Sequence, residues 1–117
     1  MTAARTAELV RNGSLVAPLE IAADRASRRQ GLLGRDGIEG VFLLEPCRSV
    51  HTLRMRFPID VAYCAGSSAD GLRIIGTHTM WPGRLGLPRL RARCTLEAEA
   101  GAFARWGLAV GDRLEVR

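Results

Sequence analysis

The chain has 117 residues and a formal net charge of +5 at pH 7. A chain of this length predicts one domain over 1–117, which buries about two thirds of the surface that its unfolded form exposes. Hydrophobic residues make up 47% and charged residues 25% of the chain, which is typical of globular proteins and excludes general disorder. No apolar run approaches the ~20 residues of a membrane span, so none is predicted.

The cysteines and the first residues indicate a cellular compartment. Cys47, Cys64 and Cys94 are scattered and odd in number, and no two have CxxC spacing. This pattern argues against a disulfide framework and a Cys-rich zinc module. The segment 1–12 lacks the apolar core of a secretory signal. The chain is therefore predicted to be cytoplasmic, with reduced thiols and no cofactor.

The first predicted elements are a hairpin and a helix. Segments 7–10 and 15–22 flank Asn12-Gly13, a strong two-residue turn signal because both positions tolerate positive φ. Asp24 is predicted to cap a helix from 25 to about 33, which ends at Gly34 or Gly37.

The rest of the chain is predicted to be mainly strands. They cover 41–44, 48–57, 59–65, 72–80, 92–100 and 113–116, with a long loop over 81–91 and one helical turn over 102–106. Seven or eight short strands with one or two short helices predict a mainly β fold: a sandwich, a jelly-roll-like fold or a partly open barrel.

Three motifs occur in order between about 19 and 116. They are Gln30-Gly31-Leu32-Leu33-Gly34-Arg35, then Pro46 to Thr52 with Met55 to Asp60, and finally Leu96-Glu97 with Gly101 and Gly111-Asp112. Their order and spacing resemble the family called domain of unknown function 192. Val50-His51-Thr52 stands where many members have Phe-Trp-Met, which resembles a second, His-Thr subgroup. The resemblance implies a compact β fold of the jelly-roll or sandwich type and no particular activity.

Asp60 is the first candidate functional residue. It is predicted to share a strand face with Ala62 and Cys64, which are small and apolar. Such a carboxylate must be paired, hydrogen-bonded or protonated, because an isolated buried charge is very costly. It is therefore either a structural acceptor of backbone N–H bonds or an arginine partner, or else a general acid/base or ligand-binding carboxylate.

Glu97 is the second candidate, on the predicted polar face of its strand. One interpretation is a cross-strand ion pair with Arg54 or Arg56. The other places Glu97 and Asp60 in one cleft, where two carboxylates ~5–9 Å apart can hydrolyse a glycosidic bond.

His51 and His78 are predicted on apolar strand faces. Each is either a core histidine with a satisfied ring nitrogen or a site histidine that titrates near neutral pH. Cys47 and His51 lie roughly 13 Å apart along the predicted strand, too far to bind one metal. No metal is predicted, although a site of His51, His78 and Asp60 remains an alternative.

Arginine and tryptophan supply the remaining candidates. All seventeen basic residues are Arg, and Arg48, Arg54 and Arg56 are predicted to form one stripe. The stripe is either solvated or grips a phosphate or carboxylate bidentately. Trp81 either stacks on a sugar or base or covers the open end of the core. No nucleic-acid motif is present, so specific nucleic-acid binding is not expected.

These features predict a small binding or accessory module for a small polar or carbohydrate-like ligand. Its polar cleft is predicted around Asp60, His51, Arg56 and Glu97. Arg56 holds an anionic group there, and Trp81 stacks on the ligand. The first alternative is a hydrolase or lyase that uses Asp60 and Glu97 as an acid–base pair, with His51 as a further catalytic candidate. The second is a basic protein that contacts nucleic acid through the arginines.

Overall fold

Over residues 5–117, the computed structural model contains seven strands and two short helices. The elements are β1 (Arg5–Arg11), β2 (Ser14–Ala22), α1 (Arg25–Gln30), β3 (Val41–Leu44), β4 (Ile59–Ser67), β5 (Gly71–Met80), β6 (Cys94–Glu99), α2 (Ala102–Trp106) and β7 (Arg113–Val116). Neither described helix has the length and apolar character that crossing a bilayer requires.

The seven strands form one curled sheet in the order β1-β2-β3-β6-β4-β5-β7. All neighbours are antiparallel except β2 and β3. Strand β7 joins the two ends of the sheet, but it pairs through only two residues with β1 and two with β5. The mainly β prediction is confirmed, and of its alternatives the partly open barrel matches this single sheet.

The first hairpin and α1 are formed by local signals. Asn12 and Gly13 have φ of 52° and 80°, as the predicted two-residue turn requires. Asp24 caps α1, because its Oδ1 accepts the Ser27 backbone N–H at 2.7 Å. The helix ends at Gln30, earlier than predicted, because Gly31 already adopts φ 49°.

One core fills the inside of the curled sheet. It contains the inward side chains of the strands and is covered at one end by α2, through Phe103, and by Leu108. Its largest fully buried members are Leu9, Leu43, Ile74, Leu96, Leu114 and Val41. This face of β4 and β6 is closed to solvent.

A second core covers the outer face of β3, β4 and β6. It includes Phe42, Val61 and Tyr63 from the strands. Val50 and Phe57 cover them from the segment after β3. The sheet is therefore apolar on both faces here, which explains why residues 59–64 of β4 are all buried.

The predicted strand over 48–57 is wrong. The segment contains a single isolated bridge at His51, and Arg54 has φ 63°, which interrupts extended backbone. In a strand, Val50 and Thr52 would share the face of Arg48, Arg54 and Arg56, yet both are buried, whereas His51 is exposed. The segment is a loop that packs on the outer core, so its alternation does not reflect a sheet.

Strand β5 contains a bulge, whereas strict alternation would place His78 on the same face as Leu72 and Ile74. Tyr63 pairs with Gly76 and Cys64 with Ile74, which leaves Ile75 as an extra residue. Beyond the bulge the alternation is reversed. His78 therefore does not share the inner face of Ile74 but lies on the outer side, next to Tyr63.

Candidate functional site

Asp60 is a structural carboxylate that anchors α2 to the sheet. Its Oδ2 accepts the backbone N–H groups of Gly101 at 3.0 Å and Phe103 at 3.1 Å. Its Oδ1 accepts the hydroxyl of Thr79, its cross-strand partner, at 2.8 Å. Because Gly101 caps α2 without a side chain, Asp60 satisfies the first N–H groups of this helix from β4. The structural interpretation of Asp60 accounts for these contacts.

Glu97 lies on the other face of the sheet. Its register partner on β4 is Val61, a member of the outer core, whereas Asp60 pairs with Ala98 of the inner core. The side chains of Asp60 and Glu97 therefore point to opposite faces. The predicted acid–base pair is wrong, since the sheet lies between the two carboxylates.

Burial alone raises the pKa of the Glu97 carboxyl to about 7. No hydrogen bond or cation acts on it among residues 5–117, so the predicted ion pair with Arg54 or Arg56 does not form. Tyr63 is its diagonal neighbour on the same face, and the Tyr63 hydroxyl is buried without a hydrogen-bond partner in the described chain.

The other predicted ligand-binding residues do not join Asp60 or Glu97. Arg56 lies at the surface, where its Nη1 contacts Asp36 Oδ1 at 3.1 Å. His51 and Trp81 are exposed on two adjoining loops. The cleft predicted around Asp60, His51, Arg56 and Glu97 is therefore not formed.

The two loops, residues 47–57 and 81–93, are held together by backbone hydrogen bonds. We call them the basic loops. Four such bonds of 2.8 Å join them: Thr52 N to Arg84 O, Gly83 N to Thr52 O, Gly86 N to Val50 O, and Arg89 N to Arg48 O. A side chain at Gly86 is excluded, because its Cβ would lie 2.6 Å from the Val50 carbonyl oxygen.

Thr52 organises this junction and was not identified from the sequence. Its side chain is fully buried, and its hydroxyl donates to the Trp81 carbonyl at 2.6 Å. The same oxygen accepts the Arg84 backbone N–H at 2.9 Å. In the sequence Thr52 is only one polar residue of the alternating segment 48–57. Alternation would place its side chain on the solvent-facing side.

The basic loops carry an unbalanced charge. They contain seven of the seventeen arginines and none of the twelve acidic residues, so the rest of the chain has a net charge of −2. All seven arginines are exposed: Arg48, Arg54, Arg56, Arg84, Arg89, Arg91 and Arg93. Within residues 5–117, Arg56 is the one member of this set that forms an ion pair. The excess of positive charge is thus concentrated on the two adjoining basic loops.

A groove of about 470 Å³ runs between the end of β5 and the second basic loop. Its polar lining includes His78, Trp81, Arg84 and Arg89. The Arg89 guanidinium carbon lies 4.9 Å from the centre of the Tyr63 ring, a cation–π contact that positions this cation. Burial and the charge of Arg89 lower the pKa of His78, so its imidazole is neutral at pH 7.

The donor set favours anions over metal ions. Residues 5–117 contain no group of three His, Cys, Asp or Glu side chains placed to hold a metal. Asp60 and His78 both line a cavity of about 220 Å³ beside α2, but His51 does not, so the alternative of His51, His78 and Asp60 is not assembled. Guanidinium groups hold phosphate or carboxylate oxygens through paired N–H donors. The sequence did contain one indication of this groove, because segment 81–93 has no acidic residue.

Fold and residue pattern together define a small β-barrel-like protein with a basic surface. The model of the DUF192 family, described as "Uncharacterized ACR", matches residues 7–116. The chain belongs to this uncharacterised family, as the motifs implied. No match is found among curated proteins.

Two solved structures share the fold. A protein of Sinorhizobium meliloti 1021, given as a candidate transcription regulator, has a TM-score of 0.79 and 21% identity, with 99% of this chain and 97% of that one covered. A protein of unknown function from Novosphingobium aromaticivorans DSM 12444 has a TM-score of 0.73 and 19% identity, with 94% of this chain and 83% of that one covered. At these identities the similarity concerns the fold.

Proposed function

We propose that the protein is a small binding module that holds an anionic polar ligand in the groove beside the second basic loop. The observation that carries the proposal is the lining: Arg84 and Arg89 have no ion-pair partner in the described chain, and both face the same groove. Two unpaired guanidinium groups in one concavity favour a phosphate or carboxylate group.

The rest of the lining supports a ligand that has a ring as well as an anionic group. Trp81 is 63% exposed at the groove, which leaves an indole face free for stacking. Arg89 is held against Tyr63, so less side-chain freedom is lost when it binds. A phosphorylated or carboxylated sugar combines the two features. The ligand is then still carbohydrate-like, but the arginines of the groove bind it in place of the carboxylates of Asp60 and Glu97.

Titration calorimetry with inorganic phosphate, glycerol phosphate, glucose and glucose phosphate tests this function. Wild-type protein is expected to bind the phosphorylated probes and to ignore glucose. Arg89→Gln is expected to weaken that binding about tenfold or more, since it removes a charge-assisted contact. Arg25→Gln, at an exposed arginine of α1 that does not line the groove, removes the same charge and serves as the control. Equal loss in both variants contradicts a groove site.

Nucleic acid is a second candidate ligand. The acid-free basic loops favour it, and one protein with this fold is given as a candidate transcription regulator. Anisotropy with a short labelled DNA duplex tests it. A nucleic-acid binder shows an affinity that falls steeply with salt and depends on several loop arginines.

A further inference from the structure

We propose that the basic loops dock on the surface of an anionic lipid bilayer, where the groove takes the phosphate of a lipid headgroup. This inference rests on the proposed function, because it assigns the anionic group to a lipid. The first observation is an exposed apolar patch on the second loop. Leu85, Leu87 and Leu90 are 76%, 81% and 82% exposed, and Trp81 is 63% exposed.

Exposed large apolar side chains are unusual when several of them lie close together. Single leucines at a surface need no explanation, but contiguous apolar patches mark an interaction site. Here four large apolar side chains lie within ten residues of one loop. Hydrogen bonds to the first loop fix the backbone that carries them, as between Gly86 N and Val50 O. The patch is therefore part of the folded surface.

The second basic loop combines the two kinds of side chain that a bilayer surface accepts. Arg84, Arg89 and Arg91 are interspersed with the three leucines. Apolar side chains enter the boundary between headgroups and acyl chains, while arginines keep their guanidinium groups among the phosphates. Trp81 suits this boundary, because its indole is apolar with one polar N–H.

Charge complementarity favours an anionic surface and fixes the orientation. Each arginine near an anionic membrane adds to the electrostatic attraction, and the basic loops hold seven without any acid. Outside the basic loops, ten arginines are balanced by ten acidic residues other than the buried Asp60 and Glu97, so the rest of the surface adds no net attraction. The protein is expected to bind with the basic loops toward the lipid.

The leucines distinguish a bilayer from nucleic acid. The arginines alone would serve either partner, but DNA offers phosphates and no apolar layer for Leu85, Leu87 and Leu90. The groove adds a site for one phosphate, and Leu85 and Leu87, which line it, supply the contact with the acyl boundary. A lipid bilayer contacts both the arginines and the leucines of the loop.

Vesicle co-sedimentation of the full chain tests the inference. The vesicles are phosphatidylcholine alone, or phosphatidylcholine mixed with phosphatidylglycerol. Wild-type protein is expected to bind the mixed vesicles at least about tenfold more strongly than the neutral ones. The triple variant L85S/L87S/L90S keeps every charge, yet is expected to lose about tenfold or more of this binding, because each buried leucine contributes free energy.

Two matched variants separate a docking surface from general attraction. R84Q/R89Q/R91Q is expected to lose vesicle binding. R25Q/R29Q/R113Q removes the same charge from exposed positions outside the basic loops and is expected to stay within about threefold of wild type, since screening limits charge effects to about 10 Å. Urea unfolding of each variant verifies that it folds.

Several outcomes overturn the inference. These are no preference for anionic vesicles, full binding by the leucine variant, or equal loss in both arginine variants. Binding of a DNA duplex that exceeds vesicle binding and is unchanged in the leucine variant overturns it in favour of nucleic acid. If glycerol phosphate still binds in an Arg89-dependent way but vesicles do not, the lipid inference fails while the proposed function stands.

Discussion

Asp60 on β4 and Glu97 on the adjacent β6 direct their carboxylates to opposite faces of the sheet. Asp60 accepts three hydrogen bonds in the inner core, whereas Glu97 is surrounded by the outer core without one. The two acids therefore have opposite effects on stability, and each can be tested alone. Neither contributes to the groove that we propose as the binding site.

Asp60→Asn is expected to destabilise the fold by about 2 kcal/mol or more. Asparagine has one carbonyl oxygen for three donors, and its NH₂ group would face the N–H groups of α2. Urea unfolding at neutral pH measures the loss. The matched control is Asp36→Asn, whose side chain is 89% exposed in an ion pair with Arg56. It is expected to change stability by less than about 0.5 kcal/mol, and unchanged stability of Asp60→Asn would contradict the anchoring role.

Glu97→Gln is expected to flatten the dependence of stability on pH. In the folded protein burial raises the pKa of Glu97 from 4.5 to about 7. The unfolded chain ionises first as pH rises, so Glu97 lowers stability progressively between about pH 4.5 and 7, by roughly 3 kcal/mol in all. Below this window its destabilising effect is absent.

Urea unfolding of wild type and Glu97→Gln at pH 5 and pH 8 measures this effect. From pH 5 to pH 8 the stability of the variant is expected to rise relative to that of wild type. A constant cost of the buried amide does not affect this difference, because it is the same at both pH values. Glu99→Gln, on the exposed end of the same strand, is the control. An identical pH dependence in wild type and Glu97→Gln would refute the assignment.

Thr52→Val is expected to loosen the basic loops while preserving the packing volume. It removes the hydroxyl that bonds to the Trp81 carbonyl and to the Arg84 N–H, at a cost of about 1–3 kcal/mol. Trypsin is expected to cut faster after Arg84 and Arg89, as followed by mass spectrometry. Thr77→Val, at an exposed position of β5, is the control and should leave cleavage unchanged.

His78→Gln is expected to remove a pH dependence of anion binding in the groove. Burial and the charge of Arg89 keep His78 neutral at pH 7 by lowering its pKa. As pH falls through that lowered pKa, the imidazole gains a positive charge, so affinity for an anion rises by about three- to tenfold. Calorimetry with sulfate measures this, since sulfate keeps its charge between pH 5 and 8.

The control for the last experiment is His51→Gln. His51 lies exposed on the first basic loop and does not line the groove. This variant is expected to keep the pH dependence of sulfate binding. If His78→Gln keeps it as well, another group titrates and His78 does not face the anion.

Local signals were sufficient for several elements. The turn at Asn12-Gly13 and the cap at Asp24 were predicted correctly, because each depends on residues within a few positions. The mainly β fold also followed, from the number and spacing of apolar strands. The motifs identified the family, which the match over residues 7–116 shows.

Alternation failed where a loop or a bulge intervenes. Residues 48–57 alternate like a strand, yet Thr52 is buried because segment 81–86 lies over it. The extra residue Ile75 reverses the faces of β5, which brings His78 next to Tyr63. Neither contact leaves a local trace, since each joins segments more than ten residues apart.

The sequence by itself determined the fold class, the family, and the concentration of arginine in two acid-free segments. Only the tertiary structure decided which side chains meet. Strand pairing separated Asp60 from Glu97. Asp60 pairs with Ala98, the residue after Glu97, and successive residues of a strand point to opposite faces. Packing of the two basic loops brought Arg84, Arg89 and Trp81 into one groove. Composition determines how much charge the two segments carry, whereas long-range contacts determine where the charged side chains lie and what they can bind.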